Sequence, residues 1–255
     1  MSRRVVAALV GVGVFLGAWE AFVRLFHVRK FVLRAPSAAL RHLWNERRVF
    51  SNAAWVTVQH AGIGLAIAVL LGLIIGAALA ASPFLEHATQ PVLTLVQVAP
   101  WFAYVSSVVL WLGEGTSPAL FMVALVCLPA FVYASVDGMR GVEPASLELF
   151  RSVDAGRWET MWRLRLPSAA PVLFTTARFS VGLALAAAYY VEGANFSNEG
   201  IGAIGKRASA AASGADTLWA AVFAMAILGV TSLLLLALLQ RAALHWHAAV
   251  RTRPR

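Results

Sequence analysis

Six stretches of this chain are apolar for long enough to cross a lipid bilayer, and no other feature limits its fold as strongly. A hydrocarbon core of about 30 Å needs about 20 apolar residues in helical form. Runs of that kind cover 5–26, 56–81, 90–112, 118–137, 168–192 and 217–243. In lipid a backbone must satisfy its own hydrogen bonds, so each run is expected to be a helix. The expected fold is therefore all-α and polytopic, and six crossings place both termini on one side. Composition agrees: 60% of the 255 residues are hydrophobic and 13% are charged, about half the charged share of a soluble domain.

The chain begins Ser2-Arg3-Arg4 ahead of an apolar run too long for a cleavable leader. That reads as a first span with its N-terminus in the cytoplasm. Segments 82–89 and 138–167 are then cytoplasmic too. The bias of basic residues toward the inside is weak, because Arg29, Lys30, Arg34, Arg41, Arg47 and Arg48 all sit in the outer segment 27–55. There Pro36-Ser37 is expected to cap a short amphipathic helix with Leu40, Leu43 and Trp44, lying on the membrane against lipid phosphates. This divides the chain into a first span with an outer amphipathic segment (1–55), a transmembrane core (56–243) and a basic cytoplasmic tail (244–255). Gly13 and Gly17, and Gly72 and Gly76, are four apart and predict close helix packing. The net charge of +9 is scattered around the apolar runs, so it argues for membrane flanks and against a nucleic-acid partner. Cys127 is the single cysteine, so no internal disulfide forms.

Segment 138–167 differs from the other connections. It reads GMRGVEPASLELFRSVDAGRWETMWRLRLP. Glu143-Pro144 marks a helix start, after which Leu147, Phe150 and Val153 share a face, with Glu148 and Arg151 beside them. Asp154-Ala155-Gly156 breaks the helix. A second helix, 157–165, carries Trp158, Met161 and Trp162 at helical spacing and is expected to end at Pro167. The resulting helix–turn–helix has a tip of mixed apolar and charged groups, as a docking surface would.

This segment resembles the signature of permease subunits of binding-protein-dependent ABC importers. That family carries Glu-Ala-Ala, three residues, Gly, nine residues, then Ile-x-Leu-Pro. Here Glu148-Leu149-Phe150, three residues, Asp154, nine residues and Leu164-Arg165-Leu166-Pro167 keep the spacing. RAPSAALRHLW, VVLWLGEGTSPAL and SVDAGRWETMWRLRLPSAAPVLFTTARFSVGLALA are similar to further segments of the nitrate, sulfonate and taurine type, from about residue 30 onward. The resemblance implies the type I importer permease fold, a bacterial inner-membrane location and assembly as a homodimer. It also implies an extracytoplasmic solute-binding protein, periplasmic or lipoprotein, and a separate ATPase subunit. In the family the short helix sits in a groove of that ATPase, which assigns coupling to Glu148, Leu149, Phe150, Arg151, Asp154, Gly156, Arg157, Leu166 and Pro167. The departures are Leu149 and Phe150 for two alanines and Asp154 for the turn glycine. Asp tolerates a left-handed backbone better than most residues. Coupling altered by these changes, leaving a scaffold that no longer transports, is the competing reading.

Residues 200–207, GIGAIGKR, lie one residue short of a phosphate-binding loop. Arg207 stands where such a loop needs a Ser or Thr for magnesium, and a membrane helix precedes it instead of a buried strand. The glycines instead predict a tight re-entry or short helix at the outer mouth. ATP and magnesium are thus assigned to the partner ATPase, with no cofactor and no enzymatic activity in this chain.

Ionisable groups inside spans are costly, so each needs a reason. Glu20 and Arg24, four apart, pair with each other. Arg178 either reaches back to the cytoplasmic headgroups or lines a path. Glu192, with Tyr189, Tyr190 and Asn195, closes the fifth span, as interfacial anchors or as path residues. In the third span Gln97, Pro100, Trp101 and Tyr104 make a proline-broken gate a candidate. These eight (Gln97, Pro100, Trp101, Tyr104, Arg178, Tyr190, Glu192 and Asn195) are the candidate substrate path. The six histidines form no cluster, so no metal site is expected, and no Ser/His/Asp set or carboxylate pair suggests catalysis. The outer basic residues suit a small anion such as a sulfonate, taurine or nitrate; the aromatics suit a heterocyclic vitamin precursor of the thiamine-pyrimidine or riboflavin type.

Overall fold

The computed structural model describes residues 3–30, 32–195, 199–211 and 213–245, without the side chains of Arg4 and Val5. The tail beyond His245, including His247, and residues 196–198 lie outside the described residues. All regular structure among the described residues is helical.

Helix α1 (Arg3–Leu25) is followed by the short α2 (Pro36–Asn45), and α3 (Arg47–Ala81) returns across the bundle. At 35 residues α3 is longer than its apolar run, because residues 47–55, expected to be extramembrane connection, continue the helix. Helix α4 (Pro83–Val98), a 3₁₀ turn (Trp101–Tyr104) and α5 (Val105–Leu112) come next. Then follow α6 (Ser117–Arg140), α7 (Pro144–Ser152), α8 (Arg157–Thr160), α9 (Leu166–Ala194), α10 (Gly200–Ala210) and α11 (Ala215–Ala243). Among the described residues five helices are long and apolar enough to span a bilayer, and the α4–α5 pair makes a sixth crossing if counted as one.

The third span, 90–112, is broken at Pro100, as expected of a proline-broken gate. It bends by 81° between α4 and the Trp101–Leu112 helix. Pro100 has no N–H to continue the ladder, and it holds Ala99 at φ −59°, ψ 133°, outside the helical region, as a following proline does. Pro167 has the opposite outcome. The helix expected to stop there runs on, and Arg157–Ala194 forms one 38-residue span. A π turn over Met161–Arg165 ends two residues before the proline, and the Leu166 N–H reaches back to the Met161 carbonyl. The proline falls in the first turn of α9, where its missing N–H costs little because the wider turn has already shifted the ladder.

The most buried helix is α6, with α3 and α9 packed against it. Its Val123, Cys127 and Phe131 form a core with Ala61 and Ala68 of α3 and Ala177, Val181 and Leu185 of α9. Small residues on α3 allow this closeness. A Cβ at Gly72 would stand 2.6 Å from Phe131 Cβ, and one at Gly76 would stand 2.4 Å from Ser135 Cβ. The other pair, Gly13 and Gly17, meets nothing within 4 Å. Gly72→Leu is therefore expected to cost about 3 kcal/mol by overpacking, read as a lower melting midpoint in detergent, whereas Gly13→Leu leaves the midpoint unchanged.

Helices α1 and α11 are the periphery, with little of their apolar length buried. Trp19 of α1 packs on Trp219 and Phe223 of α11, with ring centroids 5.4 and 5.6 Å apart. Glu20 and Arg24 pair as expected, with Nε of Arg24 donating to Oε1 at 2.7 Å. The cap of α2 is not Ser37. Ala35 occupies the N-cap position without a side-chain bond, and Glu20 reaches over from α1. Its carboxylate accepts the Ser37 N–H at 2.9 Å and the Ser37 hydroxyl at 2.7 Å, placing negative charge at a helix N-terminus. Arg34 pairs with Asp216, and the His42 ring meets the Thr217 hydroxyl at 3.0 Å, so α2 is tied to the start of α11. Of the expected apolar face, Leu43 packs inward, while Leu40 and Trp44 stay exposed.

Candidate functional site

One end of the bundle carries α7 and α8, which share a cavity lining with Ala81 at the end of α3. Arg140 fixes this end: its guanidinium donates to Glu86 at 2.5 Å and to the Leu79 carbonyl at 3.0 Å. Helix α7 starts where expected, with Glu143 at the N-cap and Pro144 in the first turn. It ends at a left-handed residue, Asp154, with φ +53°. The Asp154 N–H donates to the Arg151 carbonyl at 3.1 Å and the Ala155 N–H to Phe150 at 3.0 Å. That pair of bonds is the Schellman turn, which glycine usually closes. Asp154 therefore keeps the turn that the change from glycine put in question.

The apolar side chains of the segment divide differently from their expected grouping. Leu147, Phe150 and Met161 turn inward and line a cavity of about 490 Å³ with Arg151, Arg157 and Arg165. Leu149 and Val153, one turn apart, face outward at 63% and 68% exposure, and Trp158 and Trp162 are exposed as well. The two indoles meet edge-on at 5.6 Å. Glu148 and Arg151 are exposed, and Glu148 has no ion-pair or hydrogen-bond partner among the described residues. Gly156 is the N-cap of α8, with Arg157 after it; Leu166 and Pro167 lie beyond the π turn, partly buried at the root of α9. The result is a knob that exposes two aliphatic side chains, two indoles and an unpaired carboxylate.

At the other end, Glu192 lies at the centre of a buried network. It is 2% exposed. Its carboxylate accepts the Thr57 hydroxyl at 2.8 Å and the Gly202 N–H at 3.0 Å, and the His60 ring nitrogen stands 2.9 Å away. The Thr57 oxygen accepts the Ile201 N–H at 3.0 Å. The first turn of α10 is thus tied to α3 and α9 together. GIGAIGKR is the short helix expected at this position, and its glycines are contact residues. A Cβ at Gly202 would stand 1.8 Å from the Tyr189 carbonyl oxygen.

The other expected path residues fall into two groups. Trp101 and Tyr190 come together, ring centroids 5.7 Å apart at 82°, with Phe102 6.5 Å from Tyr190. Pro100 and Gln97 are exposed beside the α4–α5 break, and Tyr104 packs with the α5–α6 core. Away from this cluster, Asn195 donates from Nδ2 to the Gly115 carbonyl at 2.7 Å, anchoring the end of α9 to the turn before α6. Arg178 donates to Oε1 of Gln240 on α11 at 2.6 Å. Among the described residues no three His, Cys, Asp or Glu side chains gather in a way that would hold a metal ion.

The family model described as binding-protein-dependent transport system inner membrane component matches residues 68–247. The chain belongs to this family. This permease is 28% identical over 202 residues to a probable ABC transporter permease protein of Haemophilus influenzae, covering 79% of this chain and 82% of that one. It is 24% identical to the taurine transport system permease protein TauC of Escherichia coli, covering 98% and 93% of the two chains. It is 29% identical to the riboflavin transport system permease protein RibX of Chloroflexus aurantiacus, covering 91% and 86%. Its fold matches a chain of the MetNI methionine ABC transporter with a TM-score of 0.68 at 15% identity, over 78% of this permease and 98% of that chain. The fold is that of a type I importer permease.

Thr57 and His60 escape a reading of the permease sequence alone. They are 135 and 132 residues from Glu192, and the local signal is only that two polar residues, three apart, fall on one face of an otherwise apolar helix.

Proposed function

We propose that this permease moves a small anion across the bacterial inner membrane as a homodimer, driven by a separate ATPase that docks on the α7 knob. Both termini and α7 face the cytoplasm in this reading. ATP and magnesium are held by the ATPase, and a binding protein outside the membrane delivers the solute to the α10 end. The observation that carries the reading is the exposure of Leu149, Val153, Trp158 and Trp162 in the same segment as the unpaired Glu148. Leu149 and Val153 lie on a polar connection between two spans, and exposed apolar side chains gathered in such a place mark interaction sites. The intact Schellman turn at Asp154 supports coupling over an inert scaffold, because the knob keeps its shape despite the altered signature. The taurine and riboflavin permeases among its relatives favour a small organic solute, and the basic outer segment favours a negative one.

Cysteine chemistry tests the docking. Cys127 is buried, so Leu149→Cys supplies one accessible thiol. In membrane vesicles that thiol is expected to react with a maleimide when the permease is alone and to be protected at least tenfold by its ATPase. Equal labelling with and without the ATPase would remove α7 from the contact.

A further inference from the structure

A cavity of about 500 Å³ opens at the α10 end, between the last turns of α9 and the exposed side of α10. Tyr189, Tyr190, Ser106, Lys206 and Ser209 are among its lining residues. Its floor is shaped by glycine: a Cβ at Gly205 would lie 2.1 Å from the Tyr189 hydroxyl oxygen, so that hydroxyl sits directly over α10. Lys206 follows Gly205. It is the one charged residue on the described lining, is exposed, and has no carboxylate partner among the described residues. Glu192, on the same turn of α9 as the cavity lining, is buried and already engaged by Thr57, His60 and the Gly202 N–H. Tyr190 is 47% exposed at the opening and stands edge-on to Trp101, with Phe102 beyond. The cavity therefore combines one unpaired ammonium, hydroxyls from Ser106, Ser209 and Tyr189, and an aromatic wall.

We infer that this cavity is a binding station for a small organic anion with a planar body, its carboxylate or sulfonate on Lys206 and its flat face against Tyr190. As a station on a transport path it rests on the reading above; as a binding site it does not. The volume lies within the range of small-molecule sites, about 300–1,000 Å³. A bare inorganic anion would engage Lys206 and leave the aromatic wall unfilled. A planar anion uses both, because an ammonium fixes a point charge and aromatic rings attract flat partners. The same ammonium would also suit a lipid phosphate, and the test separates the two.

The full chain is placed in nanodiscs of phosphatidylcholine and probed by saturation-transfer difference NMR with benzoate, and with benzamide as the neutral counterpart. Wild type is expected to saturate benzoate well above empty discs. Lys206→Met is expected to lower that signal at least fivefold while leaving benzamide unchanged, and Lys206→Arg to keep it. Matching circular dichroism of the variants shows that the fold is intact. Glu148→Arg is expected to retain the benzoate signal, so a failed ATPase contact does not disturb this result. No benzoate signal above empty discs, or an equal signal from Lys206→Met, overturns the inference. Loss of benzoate binding when phosphatidylglycerol is added to the discs also overturns it, in favour of a lipid site.

Discussion

Glu192→Leu is expected to lower the stability of this permease by about 2–6 kcal/mol, since at least two buried donors lose their acceptor at about 1–3 kcal/mol each. Leucine nearly fills the volume but accepts nothing. The Thr57 hydroxyl, the Gly202 N–H and the His60 ring then face a hydrocarbon side chain in a site that is 2% exposed. These groups belong to α3, α9 and α10, so the damage spreads to the junction of all three. Glu192→Gln is expected to cost less, because the amide oxygen still accepts while its NH₂ meets a donor. Melting in detergent, with protease access to the 193–214 region, measures the loss. A Glu192→Leu midpoint within a few degrees of wild type would mean that the network does not hold α10.

Glu148→Arg has the opposite profile. Glu148 is exposed and has no internal partner among the described residues, so the change is expected to shift folding stability by less than about 0.5 kcal/mol. Its effect is confined to the complex. Reversing a charge that meets a basic or N–H-rich groove costs about 2–5 kcal/mol, which corresponds to ATPase affinity falling by about thirtyfold or more. The two substitutions thus separate a residue that holds the fold from one that acts outside it. Glu192→Leu damages the permease alone, and Glu148→Arg damages only the assembly.

Most of the architecture is legible in the sequence because a membrane helix is written as a continuous apolar run. The run 118–137 corresponds to α6, Ser117–Arg140, and 217–243 to α11, Ala215–Ala243. Local backbone signals were equally readable at α7, where Glu143-Pro144 opens the helix and Asp154 closes it with a left-handed turn. Pro167 marks the limit of that reading. Pro100 breaks a span and Pro167 does not, and the difference lies in the π turn that receives Pro167, which no residue pattern announces. Tertiary partners were the other hidden part. The cap of α2 comes from Glu20, on another helix, and the role of Glu192 depends on partners more than 130 residues away. Apolar periodicity reports which residues avoid water, but it carries no information about which polar groups meet across helices.

The central claim, that the α7 knob couples this permease to an ATPase, is tested most directly by ATP turnover in the reconstituted complex. Wild type and Glu148→Arg permease are inserted to equal density with the partner ATPase and the binding protein, and hydrolysis is followed with and without solute. Solute-stimulated turnover is expected for wild type and a loss of at least tenfold for Glu148→Arg, with equal membrane insertion and equal melting midpoints. Equal stimulated turnover from both proteins would contradict the claim and leave the knob with no part in coupling.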